Sequence, residues 1–326
     1  MRPGLILLAL TLALTVACGG GDDDDSQSPS PTGRSPSASV SASRTGSATR
    51  IPVTSEAASP TPQSSQQPRF VTPTPRPTPT PSPDINARLY VSLGDSLAYG
   101  RGASSRGEKA FVPLVFQGLG SGWALSNWGV PGYTSQDLLD RELPNAIAQI
   151  IERRDDAIPG NEAAAITIEI GGNDLLEIYE DLVIPGTCPS VPESLPKPEC
   201  TDRLRAALLE FTPNLQEAVD RLQAAAPGTP IFLATLYNPF SGGSVNLDGI
   251  GALALEGQAD TPFPTGLNDA VRAVAQEKGA YIVEWYGPFL GKVNEYISQD
   301  LIHPNDIGHQ VMADAVLSVM AQAGVD

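Results

Sequence analysis

Histidine and cysteine are scarce in this sequence, and their scarcity limits the chemistry that it can carry. The 326 residues include two histidines and three cysteines. A histidine-based mechanism therefore depends on His303 or His309. Two of the cysteines, Cys188 and Cys200, have no histidine near them in sequence. Two thiolates alone make half of a zinc site, so a metal centre is the weaker interpretation of this pair.

Basic residues and nucleotide-binding motifs are also lacking. The chain has 20 Lys and Arg against 37 Asp and Glu, which gives a formal net charge of −17. A protein this acidic repels a phosphate backbone, so nucleic acid is an unfavourable partner. The segment "GDSLAYGRG" has neither G-x-G-x-x-G nor the lysine of a P-loop, which argues against a nucleotide-binding protein. The G-x-S-x-G motif of the α/β-hydrolases is missing as well.

The apolar run near the N-terminus, from Leu5 to Ala17, is too short to span a bilayer comfortably and is typical of a secretory signal. The Val-Ala-Cys that ends it resembles the bacterial lipoprotein signal, in which the cysteine becomes the lipidated N-terminus. One departure is Thr15, where that signal usually has leucine. We expect a signal peptide at residues 1–18 and lipidation of Cys18, because the hydrophilic run "GGGDDDDSQS" follows as a tether would. An ordinary cleaved signal is the alternative.

Residues 19–87 are rich in Ser, Thr and Pro and contain almost no large apolar side chains. Such a segment cannot bury enough surface to offset its ordering entropy, so we expect a disordered linker. Its end, "TPTPRPTPTPSP", favours extended polyproline II and predicts a stiffer spacer. In an exported protein the remaining pair, Cys188 and Cys200, is expected to form a disulfide.

From Arg88 onward, short apolar runs alternate with helical patterns. This alternation predicts an α/β domain at residues 88–326, in which helices cover both faces of a parallel sheet. Ser135 and Thr201 are expected to open two of the helices, which Pro144 and Pro213 should bend or split. The predicted strands are "RLYVSL", "ALSNWGV", "AAITIEI", "PIFLATLY" and "AYIVEWY".

Working sites in open parallel sheets lie beyond the carboxyl ends of the strands. Ser96 follows the first predicted strand, and a serine hydroxyl needs an adjacent base, which in turn needs a carboxylate to fix its tautomer. His303 is the favoured base because Asp300 is three residues away, whereas His309 lies in a helical pattern and reads as a structural side chain. A metal site of Asp300, His303, Asp306 and His309 is disfavoured, because the spacing does not match the H-x-x-x-H face that binds zinc.

Four segments resemble, in order, the signature blocks of the SGNH, or GDSL-type, hydrolases. They are "GDSL", "NWGVPGYTSQDLL", "IEIGGNDLL" and "DLIHPND", spread over most of the predicted domain. The resemblance implies a flavodoxin-like three-layer α/β/α fold with a five-stranded parallel sheet. It also implies an esterase or acyl hydrolase without a cofactor or a metal.

The resemblance further implies the role of each residue. Ser96 would be the nucleophile, His303 the general base and then acid, and Asp300 the orienting carboxylate. The oxyanion hole would consist of the backbone N–H groups of Ser96 and Gly132 and the side-chain amide of Asn173. Preorganised donors of this kind stabilise a tetrahedral oxyanion.

The expected function is an esterase that cleaves a lipid, an acylated glycan or a small ester outside the cytoplasm, lipid-anchored to the outer face of the membrane or secreted. A binding module that keeps the fold without turnover is the alternative. Two long segments, residues 179–200 and 238–266, would emerge beside the site. They could wall an acyl or alcohol pocket or merely cover the sheet. The second segment carries apolar side chains suited to an acyl chain, namely Phe240, Leu247, Ile250, Leu253, Leu255 and Phe263.

Overall fold

Five short apolar segments form one parallel sheet in the computed structural model, which describes residues 84–326. The strands lie in the order β2-β1-β3-β4-β5, which is the flavodoxin-like order. The predicted fold class is therefore confirmed. The strands are β1 (Arg88–Gly94), β2 (Trp123–Asn127), β3 (Ala163–Glu169), β4 (Ile231–Ala234) and β5 (Tyr281–Val283). The predicted signal peptide, Cys18 and nearly all of the predicted linker lie outside the described residues.

Helices cover both faces of the sheet. The helices are α1 (Ser96–Tyr99), α2 (Arg106–Lys109), α3 (Phe111–Leu119), α4 (Ser135–Asp137), α5 (Leu143–Asp155), α6 (Gly172–Ile178), α7 (Val191–Ser194), α8 (Pro198–Ala225), α9 (Val245–Glu256), α10 (Leu267–Lys278), α11 (Tyr286–Phe289), α12 (Val293–Tyr296) and α13 (Asp306–Gln322). On one face α3 packs against α13, and on the other α8 packs against α5 and α10. Two π-helical turns, Leu138–Glu142 and Tyr179–Val183, precede α5 and follow α6.

The interior of β1, from Leu89 to Leu93, is inaccessible to solvent and apolar except for Ser92. Both of its faces are covered by helices and both of its edges are paired, with β2 and with β3. A strand in this position reads as a continuous apolar run rather than an alternating one, and the sequence has this pattern. β1 consequently ends in the middle of the sheet, where the chain leaves it at Gly94.

The predicted helical stretch that contains Pro144 is divided into α4, a π-helical turn and α5, whereas the stretch that contains Pro213 is not divided. Helix α8 continues through Pro213 and is 28 residues long. Its buried face, which includes Phe211 and Leu215, packs toward the sheet and stabilises the helix. The backbone acceptor that Pro213 leaves without a partner belongs to Leu209, on the exposed side of the helix. Pro144 occupies the first turn of α5, where a proline is tolerated because the N–H has no helical partner.

The two predicted helix starts are displaced, the first by one residue and the second by three. Thr134, not Ser135, caps α4, and its hydroxyl and the Asp137 carboxylate bond reciprocally to each other's backbone N–H groups. α8 begins at Pro198 rather than at Thr201, because a proline suits the first position of a helix. Ser135 is then free to bond elsewhere, and its partner lies in the candidate site.

Residues 84–87, which the sequence assigned to the end of the linker, are bound to the folded part. The buried guanidinium of Arg153 donates to the carbonyl oxygens of Asp84, Ile85 and Ala87. Asn161 adds a hydrogen bond to the Ile85 carbonyl. These bonds satisfy backbone acceptors of residues 84–87 and join this segment to the folded domain.

A disulfide joins Cys188 and Cys200 and closes the segment between the second π-helical turn and α8. Both cysteines are buried. The pairing is the one expected from the sequence. Among residues 84–326, no helix combines the length and the apolar character needed to cross a bilayer.

Candidate active site

The chain turns sharply between β1 and α1, and this turn fixes the position of Ser96. Gly94 has φ +149°, and a Cβ at this position would collide with the carbonyl oxygen of Glu169 on β3. Only glycine fits there. Asp95 caps α1, since its Oδ1 accepts the N–H of Leu97 at 3.0 Å. Ser96 is consequently the first residue of α1, and it is mostly buried at the edge of a cavity.

His303 lies against Ser96 although the two are 207 residues apart in sequence. The distance from His303 Nε2 to Ser96 Oγ is 2.9 Å, and that from His303 Nδ1 to Asp300 Oδ2 is 2.7 Å. The three side chains therefore form a continuous chain of hydrogen bonds. The Ser96 hydroxyl also lies 3.3 Å from Asp95 Oδ1, so its one hydrogen has two candidate acceptors and the nearer is His303.

The loop that carries His303 is wrapped around the Asp300 carboxylate. Asp300 Oδ1 accepts the backbone N–H groups of Ile302 and His303 and the hydroxyl of Ser298. Partial burial raises the pKa of Asp300, but these hydrogen bonds and the bond from the imidazole outweigh burial and lower the pKa to about 2. Asp300 is therefore ionised at neutral pH, and Nδ1 must carry the hydrogen that lies between the two groups. The lone pair of Nε2 then faces Ser96.

Gly102 allows the loop after α1 to approach the loop of His303. A Cβ on Gly102 would meet the carbonyl oxygen of Pro304 and the Cβ of His303, and its φ is +84°. Nearby, both the N–H and the hydroxyl of Ser104 donate to Asp306. These contacts tie the two loops together on either side of the reactive groups.

The other two predicted site residues lie at the ends of β2 and β3. Asn173 is in the first turn of α6, beside the cavity that contains Ser96. Its amide nitrogen donates to Asp95 Oδ2 at 3.0 Å and to the carbonyl oxygen of Tyr133 at 2.8 Å, so both of its hydrogens have acceptors. Gly132 is exposed in the preceding turn with φ +86°.

Asp174 and His309 have structural partners. Asp174 accepts the N–H and the hydroxyl of Ser135, which links α6 to α4. His309 is fully buried, and its ring bonds the backbone N–H of Phe111 and the carbonyl of Arg101. Burial lowers the pKa of His309 to about 4, so the ring is neutral at physiological pH. Its bonds tie the loop after α1 to α13.

Three buried carboxyl groups lie beneath the Ser96 turn, and sequence reasoning missed two of them. Burial raises the pKa of Asp95 to about 6 and that of Glu142 to about 8. Burial and the neighbouring charge of Asp95 raise the pKa of Glu169 well above its ordinary value. Glu142 Oε1 accepts the N–H of Gly94 at 2.8 Å. A charged residue inside the apolar run "AAITIEI" was a signal for Glu169, but nothing in the sequence marked Glu142.

A largely apolar cavity opens beside Ser96 and His303. Both long segments named in the sequence analysis contribute to its walls. Tyr179 and Phe240 stack with their ring centroids 5.1 Å apart, and both line the cavity. Of the apolar residues expected there, Ile250 and Leu255 also line it, whereas Leu253 is buried and Phe263 belongs to a separate pocket.

The metal interpretation gains no support from the side chains. Within residues 84–326, no three His, Cys, Asp or Glu side chains converge in a way that could hold a metal ion. Asp306 is bound by Ser104, and His309 is turned into the core.

Comparison with known proteins gives one family. Residues 92–311 match the model of the GDSL-like Lipase/Acylhydrolase family. A lipase from a goat rumen metagenome is similar in structure, with 21% sequence identity and a TM-score of 0.51 over 72% of this chain and 97% of that one. An extracellular lipase from Streptomyces rimosus is 19% identical with a TM-score of 0.49, over 73% of this chain and 100% of that one. No curated protein sequence matches.

At these identities the structural likeness shows the fold alone, whereas the family match covers most of the chain. The matched range contains all four sequence blocks described above, from Ser96 to His303.

Proposed function

The chain belongs to the GDSL-like lipase/acylhydrolase family and is an ester-hydrolysing enzyme, and we propose that it acts through an acyl-enzyme on Ser96. The observation that carries this proposal is the hydrogen-bonded chain from Ser96 through His303 to Asp300, with distances of 2.9 and 2.7 Å. A serine with an adjacent base and an orienting carboxylate is the arrangement required for nucleophilic catalysis.

The first half of the reaction transfers the acyl group to the enzyme. Ser96 Oγ attacks the carbonyl carbon of the ester, and the hydroxyl proton passes to His303 Nε2. The tetrahedral intermediate then collapses, the bond to the alcohol oxygen breaks, and the leaving alcohol takes the proton from Nε2. In the second half, water attacks the acyl-enzyme and gives a proton to His303. Ser96 leaves with that proton, and the carboxylic acid is released.

Asp300 acts through His303. Its carboxylate holds the hydrogen on Nδ1 and stabilises the imidazolium that forms when Nε2 accepts a proton. Because its pKa is about 2, this role persists throughout the physiological pH range.

The N–H groups of Ser96 and Gly132 and the amide of Asn173 form the oxyanion hole in this proposal. Ser96 is the first residue of α1, where a backbone N–H has no acceptor within the helix. One hydrogen of Asn173 is fixed on Asp95. The oxyanion would therefore compete with the Tyr133 carbonyl for the other hydrogen of the Asn173 amide. The hydrogen bond to Asp95 would hold the amide in its orientation while the second hydrogen changes acceptor.

We further propose that the enzyme works outside the cytoplasm, tethered through a lipid on Cys18. The disulfide between Cys188 and Cys200 supports export, since such bonds persist in oxidising compartments. The apolar run before Cys18 and the hydrophilic run after it support the anchor. Cys18→Ser is expected to move the protein from the membrane fraction to the soluble fraction, and unchanged membrane association would contradict the anchor.

The catalytic proposal is tested with the full-length protein and p-nitrophenyl butyrate, without added metal. Ser96→Ala and His303→Ala should each lower kcat by about 10⁴-fold or more with folding unchanged, because the two residues act as a unit. The double variant should be no slower than either single variant. Ser121→Ala, an exposed serine, is the matched control. Retention of full activity in either variant would reject the proposal.

A further inference from the structure

The cavity beside Ser96 and His303 is apolar beyond its reactive end. Its walls come from α6, α8, α9 and the loop after β4. In the described walls away from the reactive groups, the only polar side-chain atoms are the hydroxyls of Tyr179 and Tyr237. The Tyr237 hydroxyl already donates to the carbonyl of Ile302 at 2.7 Å. The part of a substrate that fills this space would therefore find almost no hydrogen-bonding partner.

We propose that this cavity binds the alkyl chain of the acyl group, so that the preferred substrates are esters of medium-chain and longer fatty acids. The inference rests on the proposed function, because it takes Ser96 as the acylated residue. A sugar hydroxyl in this cavity would lose its water without gaining a partner, whereas an alkyl chain gains from burial. An acetyl group would fill only the end next to Ser96, so the apolar remainder of the cavity would confer no advantage on acetate esters.

The surroundings of His303 decide which side of the ester enters the cavity. The leaving alcohol must take its proton from His303 Nε2, so it lies next to the loop of residues 300–303. That loop is open to solvent: the Asp300 side chain is 47% exposed and Leu301 is 67% exposed. Ile302 and His303 of this loop line the cavity at its reactive end, and away from them the cavity is lined by the buried Leu236 and Leu255. The alcohol therefore leaves toward water, and the acyl chain points inward.

Two structural features hold the far wall in place. The Tyr179 and Phe240 rings stack on each other across the two long segments. Helix α9 presents Ile250 and Ala254, one helical turn apart, to the cavity, and α7 packs behind it. The disulfide closes the segment that carries α7. The cavity wall is thus anchored on both sides and does not depend on the substrate to form.

The experiment uses the full-length protein and two series of esters. The first series keeps p-nitrophenol and varies the acid from acetate through butyrate, hexanoate and octanoate to laurate. The second keeps acetate and lengthens a primary alcohol in the same steps. In the first series kcat/KM should rise by up to about fourfold for each added methylene until the cavity is full, and octanoate should exceed acetate by roughly 100-fold or more. The second series should stay nearly flat.

Two variants and one control test whether the dependence of kcat/KM on acyl chain length arises in the cavity. Ile250→Trp should shift the optimum to shorter acids, so that the ratio of kcat/KM for laurate to that for butyrate falls by about tenfold or more. Ile250→Thr, which avoids overpacking, should weaken the rise with chain length without moving its end. Val245→Trp lies on the same helix with a side chain 85% exposed, and it should leave the series unchanged.

The outcomes separate this inference from the proposed function. A flat acyl series, a preference for acetate, or a rise in the alcohol series instead would overturn the acyl cavity while leaving an active serine esterase. Unchanged acyl preference in both Ile250 variants would also overturn it. Hydrolysis that survives Ser96→Ala would remove the proposed function itself.

Discussion

Replacing Glu142 with glutamine is expected to stabilise the fold at alkaline pH. The Glu142 side chain is 3% exposed, and its Oε1 accepts the Gly94 N–H that holds the Ser96 turn. Its Oε2 has no hydrogen-bonding partner among the described residues. A protonated carboxyl fits this site better than a charged one, which is why burial raises the pKa to about 8. Glutamine keeps the acceptor for Gly94 and stays neutral at every pH.

The size of the effect follows from the difference between the folded and unfolded pKa values of Glu142. The pKa is 4.5 in the unfolded chain and about 8 in the fold. The unfolded chain therefore loses its proton first as the pH rises, and the free energy of unfolding falls between these two values. At about 1.4 kcal/mol for each pH unit, Glu142 alone lowers the free energy of unfolding by about 5 kcal/mol above pH 8 relative to pH 4.

The assay is urea unfolding of the wild type and Glu142→Gln across this pH range. The two proteins should differ little below pH 4.5, and the variant should become the more stable as the pH rises. Glu152→Gln, an exposed carboxylate in the following helix, serves as control and should leave the pH dependence of the wild type intact. Identical pH dependence in the wild type and Glu142→Gln would refute the assignment of a protonated carboxyl beneath the Ser96 turn.

Three further substitutions test the site and its walls. Asp300→Asn should lower kcat for p-nitrophenyl butyrate by about 10⁴-fold, because the amide no longer enforces the hydrogen on His303 Nδ1. Asp314→Asn changes an exposed carboxylate and should leave kcat unchanged. Gly102→Ala should lower kcat, because the added Cβ meets the Pro304 carbonyl and displaces the loop of His303; a normal kcat would contradict this. Changing both disulfide cysteines to serine should lower the free energy of unfolding by about 3 kcal/mol, measured in urea, and an equally stable variant would contradict this.

The sequence was sufficient to predict the sheet and the convergence of distant residues at one edge. Parallel strands end at the same edge, so residues that directly follow β1 and β3 had to be neighbours, as Ser96 and Asn173 are. His303 does not follow a predicted strand directly, and its position depended on the pattern around Asp300. The strand runs were recognisable because β1 and β3 are buried on both faces and apolar almost throughout.

Other features depend on contacts that have no signature in one sequence. Both hydrogens of Asn173 are engaged because Asp95 and the Tyr133 carbonyl happen to converge on it. The buried state of Glu142 depends on the π-helical turn before α5, which no residue pattern announced. Pro213 was expected to interrupt α8, but the packing of the helix outweighed the loss of one hydrogen bond. Tertiary packing decided each of these.

The most direct test of the account is covalent labelling of the full-length protein with an alkylphosphonate p-nitrophenyl ester. Ser96 Oγ would form the bond to phosphorus and release p-nitrophenolate, and the adduct would then resist hydrolysis. Peptide mass spectrometry should locate one phosphonyl group on Ser96, in step with the loss of esterase activity, and His303→Ala should be labelled far more slowly. Complete inactivation with the label on another residue, or full activity after Ser96 is labelled, would contradict the account.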